Sequence, residues 1–179
     1  MTWYCSPLIG RSHPDKKSVD MIAYHTNPLG ILQLEAADDQ VRSIRFVEEK
    51  TGPCSETPSL VLLECLSQLD AYFAGSLRAF DFPMHQPGTP FQQRVWQGLL
   101  GIPYGRTVSY LQLSKTLGDA KAIRAVGTAN GRNNLAIVVP CHRVIGSDQA
   151  LTGYAGGLWR KQWLLDHEAR HANGVRTLF

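Results

Sequence analysis

Pro140-Cys141-His142-Arg143-Val144-Ile145 follows the apolar run Leu135-Ala136-Ile137-Val138-Val139, and this junction decides how the chain is read. The run is short, rich in β-branched residues and bounded by Asn133-Asn134 and Pro140, which predicts a buried strand. Pro140 cannot continue a hydrogen-bonded ladder, so the strand stops there and Cys141 sits on a rigid edge. Only a thiolate attacks, and partial exposure beside His142 and Arg143 would lower the thiol pKa enough to populate it. Strand neighbours point to opposite faces, so His142 reaches Cys141 only through a bend or a bridging water. On this local chemistry alone, Cys141 reads equally well as a small buried hydrophobe.

Upstream of this junction, Thr89-Pro90-Phe91-Gln92 combines an N-cap, a first-turn proline and a glutamine at N3, followed by Phe91, Val95 and Leu99 on one face, with Gly101 closing the helix. Ser109 to Gln112 forms a second capping box on a segment running to Gly118. Asp119 is then expected to cap a helix through Asn130, with Ile123 and Val126 anchoring it. Two short helices across a Gly-Asp turn read as helix-turn-helix, a pattern shared with many proteins that touch no DNA. In the second helix Arg124, Gly127, Thr128 and Gly131 are spaced i, i+3, i+4 and i+7, a face nearly bare of side chains. Because a helical glycine costs about 1 kcal/mol relative to alanine, something must come close there, either another helix or a ligand.

In the first half, Met21–His25, Gly30–Ala36 and Val41–Val47 are candidate strands of a small antiparallel sheet, with turns at Asn27-Pro28-Leu29-Gly30 and Ala37-Asp38-Asp39. Thr57-Pro58 is expected to start a helix carrying Leu62, Leu66, Leu69 and Phe73 and ending near Gly75. Residues 1–20 read as a flexible leader and residues 173–179 as a tail. The intervening chain divides into an α/β unit over 21–88, whose Asp81–Gly88 segment is the linker, and a mostly helical unit over 89–172.

A chain of 179 residues, 44% hydrophobic and 18% charged, is that of a globular protein. Its charge is unevenly shared. Residues 1–90 carry 7 Lys/Arg against 11 Asp/Glu, net −4, and residues 91–179 carry 11 against 4, net +7. A basic C-terminal half suits a polyanion, although a solvated basic surface gives the same count. Cys5, Cys54, Cys65 and Cys141 form no CxxC pair and no signal peptide is apparent, which predicts a reducing, cytoplasmic setting. No apolar run approaches the ~20 residues of a membrane helix. The spacing of His25, Cys54, Cys65 and His85 matches no ligand framework, so no metal is expected.

The hexapeptide Pro140–Ile145 resembles the active-site signature of the O6-alkylguanine-DNA alkyltransferases, the methylated-DNA–protein-cysteine methyltransferases. Thr107-Val108-Ser109-Tyr110, Arg124-Ala125-Val126-Gly127, Asn133 and Leu151-Thr152-Gly153-Tyr154-Ala155-Gly156-Gly157 follow in that family's order and near its spacing. The resemblance is strong from Thr89 to Glu168 and looser upstream, where Asn27-Pro28-Leu29-Gly30 is the clearest echo.

This resemblance implies an α/β protein with a ribonuclease H-like N-terminal domain and a winged helix-turn-helix-like C-terminal domain. It implies an irreversible, single-use transfer of the alkyl group from O6-alkylguanine in double-stranded DNA, and from O4-alkylthymine, to Cys141, with base flipping by the helix-turn-helix in the minor groove. His142 would act as base through a water, oriented by Glu168. Tyr110 would donate a proton to the departing guanine, and Asn133 would hold the active-site turn. Arg124 would fill the gap left by the flipped base, with Tyr110, Ala125, Gly127, Thr128 and Gly131 also on the DNA side. Val144, Tyr154, Ala155 and Gly156 would form the base pocket; some relatives carry serine where Ala155 stands. No cofactor and a monomer in solution are expected. A non-catalytic lesion-binding relative would share the helix-turn-helix but replace the acceptor cysteine, and a Cys/His hydrolase would turn over.

Overall fold

The computed structural model describes residues 21–50, 54, 55 and 57–172; the expected leader (1–20) and tail (173–179) lie outside the described residues. The N-terminal half is a three-stranded antiparallel meander, β1 (Met21–Asn27), β2 (Gly30–Ala37) and β3 (Gln40–Val47), in the order β1-β2-β3. In the first turn the Asn27 side chain accepts from Leu29 N at 2.8 Å and Gly30 adopts φ 113°, a left-handed value that suits glycine. The second turn places Asp38 and Asp39 at φ 52° and 56°, a geometry that short polar side chains tolerate and that matches strand twist. Alternation then buries Leu32, Leu34 and Ala36 of β2 on one face.

Helix α1 (Leu60–Phe73) covers that face with Leu62, Leu66 and Leu69, each almost wholly removed from water, a burial worth about 1.5–3 kcal/mol per side chain. It starts at Leu60, with Ser59 at the N-cap, and not at the expected Thr57-Pro58 cap. Its end is as expected, with Gly75 in a left-handed conformation, φ 79°.

The expected linker is not a free tether. Val41 N donates to Pro83 O and His85 N to Val41 O, both at 3.0 Å, so the strap lies against the β3 edge, with Phe82 and Gln86 buried. The second half begins at α2 (Pro90–Leu100), where both bonds of the Thr89/Gln92 capping box form. Strand β4 (Val108–Ser109) leads into α3 (Tyr110–Thr116), capped by the reciprocal Ser109/Gln112 pair. Helix α4 (Ile123–Gly131) starts later than expected. Asp119 does not cap it: its carboxylate accepts from Lys121 N at 2.8 Å within the turn, and the N-cap position falls to Ala122. Ile123 points outward, 37% exposed, so Val126 and Ala129 anchor α4 instead.

Strand β5 (Val144–Ile145) pairs parallel with β4, and α5 (Leu158–Ala172) closes the chain. One continuous apolar core joins the halves, running from Leu32, Ile44 and Leu66 to Leu99, Ile137, Val144 and Leu164. Among the described residues no helix is long and apolar enough to cross a membrane.

Candidate active site

The Leu135–Val139 run is not the strand its composition predicts. Leu135 makes one isolated bridge to Ile44 of β3, Ile137 takes φ 71°, and the rest is turn. The reason is Asn133, whose side chain satisfies local backbone groups in place of a ladder: Oδ1 accepts from Leu135 N at 3.0 Å, and Nδ2 donates to Val139 O at 2.8 Å and Leu135 O at 3.3 Å. Gln86, from the strap, donates to Asn133 Oδ1 at 3.0 Å and accepts from Asn134 N at 2.8 Å. Ile44 N donates to Asn134 O at 2.7 Å, and Ala136 N to Ile44 O at 3.0 Å. The active-site turn is therefore held jointly by β3 and the strap.

Past Pro140 the chain enters a single 3-10 turn, Cys141–Arg143, so the bend that Cys141 and His142 require is supplied by a helical turn and not by a strand end. Cys141 is 7% exposed, more enclosed than the sequence suggests. Burial pushes its thiol pKa up, while the hydrogen bond from Asn133 and the nearby Lys161 charge pull it down. Arg143, the expected helper, is committed elsewhere. Its Nε and Nη2 donate to Glu168 Oε2 and Oε1, both at 2.9 Å, and Nη1 donates to Ile102 O at 2.6 Å.

Glu168 is completely buried and takes five hydrogen bonds, the remaining three from His142 Nε2 at 2.8 Å, Tyr72 Oη at 2.9 Å and Gly105 N at 3.0 Å. Burial alone would raise its pKa, but these bonds, with the His142 and Arg143 partners, hold the carboxyl well below its ordinary range. An ionised carboxylate only accepts, so His142 donates from Nε2 and Nδ1 carries the lone pair. Nδ1 is buried with no protein partner. Burial lowers the His142 pKa and keeps the imidazole neutral despite the Glu168 contact.

A cavity of about 210 Å³ opens onto Cys141. Its lining includes Tyr154, Ala155 and Gly156, Asn133 and, from β3, Ile44 and Phe46. Tyr110 is half-buried beside it, its hydroxyl accepting from Asn130 Nδ2 at 3.3 Å; burial raises its pKa, partly offset by hydrogen bonds with Thr152 and Asn130. The Val144 carbonyl accepts from Lys161 Nζ at 2.6 Å, leaving one lone pair. Arg124, Ala125, Thr128 and Gly131 are exposed along α4, with Gly127 partly covered. A Cβ at Gly131 would meet nothing within 4 Å, and one at Gly127 only the Tyr110 ring at 3.8 Å, so packing within the protein does not require the bare face.

Four residues escaped the sequence reading. Lys161, fully buried, donates to Val144 O and Thr152 O; a lysine in line with Leu164 and Glu168 along α5 was its only signal. Asn130, 3% exposed, bonds both Tyr110 Oη and Cys141 O. Gln86 and Tyr72 come from the other half of the chain, and no local pattern marks them.

With this geometry in place, comparison with known proteins is decisive. Residues 90–170 match the DNA binding domain of 6-O-methylguanine DNA methyltransferase, and residues 22–86 its ribonuclease-like domain. The chain belongs to that family. The methylated-DNA–protein-cysteine methyltransferase of Mycolicibacterium paratuberculosis is 47% identical over 165 residues, covering 89% of this chain and 99% of the relative. The constitutive enzyme of that name from Bacillus subtilis is 46% identical over 138 residues, covering 72% and 82%. The crystal structure of Mycobacterium tuberculosis O6-methylguanine methyltransferase superposes with a TM-score of 0.77 at 42% identity, covering 86% of this chain and 94% of that one. The M. tuberculosis protein in complex with DNA gives 0.74 at 45% identity, covering 83% and 92%. The α/β class, the N-terminal ribonuclease-like sheet and the C-terminal DNA-binding half thus agree with what the sequence implied.

Proposed function

We propose that this protein repairs DNA by taking the alkyl group of O6-alkylguanine onto Cys141, once per molecule, with O4-alkylthymine as a second substrate of the same chemistry. The observation that carries the reading is the placement of Cys141 at the cavity with His142 next to it in the same 3-10 turn, Nδ1 of His142 having no protein partner and its Nε2 lying 2.8 Å from Glu168 Oε1. His142 takes the thiol proton through one water, and the thiolate displaces guanine at the alkyl carbon. The Sγ–C bond forms as the O6–C bond breaks, Tyr110 gives its proton to the departing guanine, and the proton that His142 took from the thiol passes through water to restore the Tyr110 hydroxyl. In balance the thiol hydrogen replaces the alkyl group on the base, so no cofactor is needed. The thioether is a poor leaving group, which makes the reaction stoichiometric.

The base must leave the stack for the sulfur to align with the C–O bond. The exposed α4 face, with Arg124 to fill the vacated space, supports minor-groove docking. The test is a duplex carrying one O6-methylguanine, mixed with wild-type protein and with Cys141→Ala and followed by intact mass and peptide mapping. We expect one methyl group per protein on Cys141, with Cys141→Ala binding the duplex but unlabelled. Label on another residue, multiple turnovers, or tight binding with no label from wild type would refute the transfer; the last outcome would indicate a lesion-binding protein.

A further inference from the structure

The wall of the Cys141 cavity built by residues 153–156 is not self-supporting. Its loop, residues 151–157, has no regular secondary structure, and Gly153 and Gly157 take φ 47° and 89°. From the loop, the Gly156 carbonyl accepts Arg160 Nη1 at 2.7 Å. The same guanidinium donates through Nε to Leu29 O at 2.8 Å, in the β1–β2 turn 131 residues away. Its Cζ lies over the Phe46 ring of β3, 4.7 Å from the centroid, and over the Trp159 ring, 4.6 Å. Phe46 in turn meets Tyr154 edge-to-face at 6.5 Å, and both rings line the cavity with Gly156. There is no slack in this assembly, since a Cβ on Gly156 would lie 2.7 Å from Phe46 and 2.9 Å from Tyr154.

We infer that Phe46 and Arg160 form a brace that sets the width of the alkyl pocket, making the N-terminal sheet, which supplies none of the reacting groups, a determinant of which alkyl groups are accepted. The inference rests on the transfer reading above and assigns to it two positioning residues. Arg160 fixes the loop by planar, two-pronged bonding that a lysine cannot reproduce, and Phe46 is the surface against which Gly156 and Tyr154 stop. Loosening either one lets the wall retreat from Cys141, which favours bulky alkyl groups over methyl.

The experiment compares wild type, Phe46→Leu, Arg160→Gln and Arg160→Lys on duplexes bearing one O6-methylguanine or one O6-benzylguanine, timing thioether formation on Cys141 by peptide mass and recording each thermal unfolding midpoint. Phe46→Leu keeps a large apolar side chain, so the fold is retained while the ring is lost. The benzyl-to-methyl rate ratio should rise roughly tenfold or more in all three variants, the scale on which pocket contacts discriminate, and independently of any change in midpoint. A ratio unchanged from wild type, or both rates falling in proportion, would overturn the brace and leave a purely structural contact. No thioether on wild-type Cys141 would instead refute the transfer reading itself.

Discussion

At the scale of single residues, the site depends on one carboxylate doing two things. Glu168 neutralises the buried Arg143 fork and fixes the His142 tautomer, so neither a protonated Glu168 nor a neutral substitute serves both partners. The consequence for catalysis has a definite sign. Protonated His142 cannot accept the thiol proton, so transfer slows as pH falls through the His142 pKa, and burial places that pKa below its ordinary 6.5. The rate of S-methyl-Cys141 formation between pH 4.5 and 8 should therefore show its acid limb below pH 6.5; a limb centred above 7 would contradict a neutral imidazole base. Cys141 and His142 were legible in the sequence because adjacent reactive residues beside a proline are a local signal. Lys161, Asn130, Gln86 and Tyr72 were not, since their roles come from partners up to 96 residues away.

At the scale of elements, local chemistry was read best where it is self-contained. The two capping boxes and the hairpin turns need only neighbouring residues, and they form as expected. The Leu135–Val139 run was misread because β-branched composition expresses a preference for burial, and Asn133 satisfies that burial as a turn. The bare face of α4 was ambiguous in sequence between a helix contact and a ligand, and the open space beside Gly131 favours the ligand. Gly127→Ala should then separate stability from function. A mid-helix alanine raises stability by about 0.5–1 kcal/mol in denaturant unfolding, while binding to undamaged duplex weakens severalfold. Unchanged binding would move the DNA contact off this face. Arg124→Ala should slow repair in duplex by about tenfold or more, the scale of unstacking one base, while leaving reaction with free O6-benzylguanine nearly intact; equal slowing of both would remove its flipping role.

At the scale of the whole molecule, the charge asymmetry of the two halves becomes a surface property. Lys115, Lys121, Arg124 and Arg132 are exposed on α3, the following turn, α4 and its C-cap. If each neutralises one phosphate, log affinity for duplex DNA falls against log salt with a slope of about −3 to −4, or about a hundredfold between 50 and 200 mM. A salt-independent affinity measured by fluorescence anisotropy would place the DNA elsewhere. The sequence by itself determined the three-stranded meander, the two helices that begin in capping boxes and the family, because hydrophobic period, caps and short motifs act over a few residues. Only the tertiary structure decided that the strap and β3 hold the active-site turn, that Arg143 serves Glu168 and not the thiol, and that Arg160 ties the Gly156 carbonyl to the β1–β2 turn. Those outcomes turn on which side chains meet across the core, where most buried donors and acceptors are paired, and chain order does not encode that pairing.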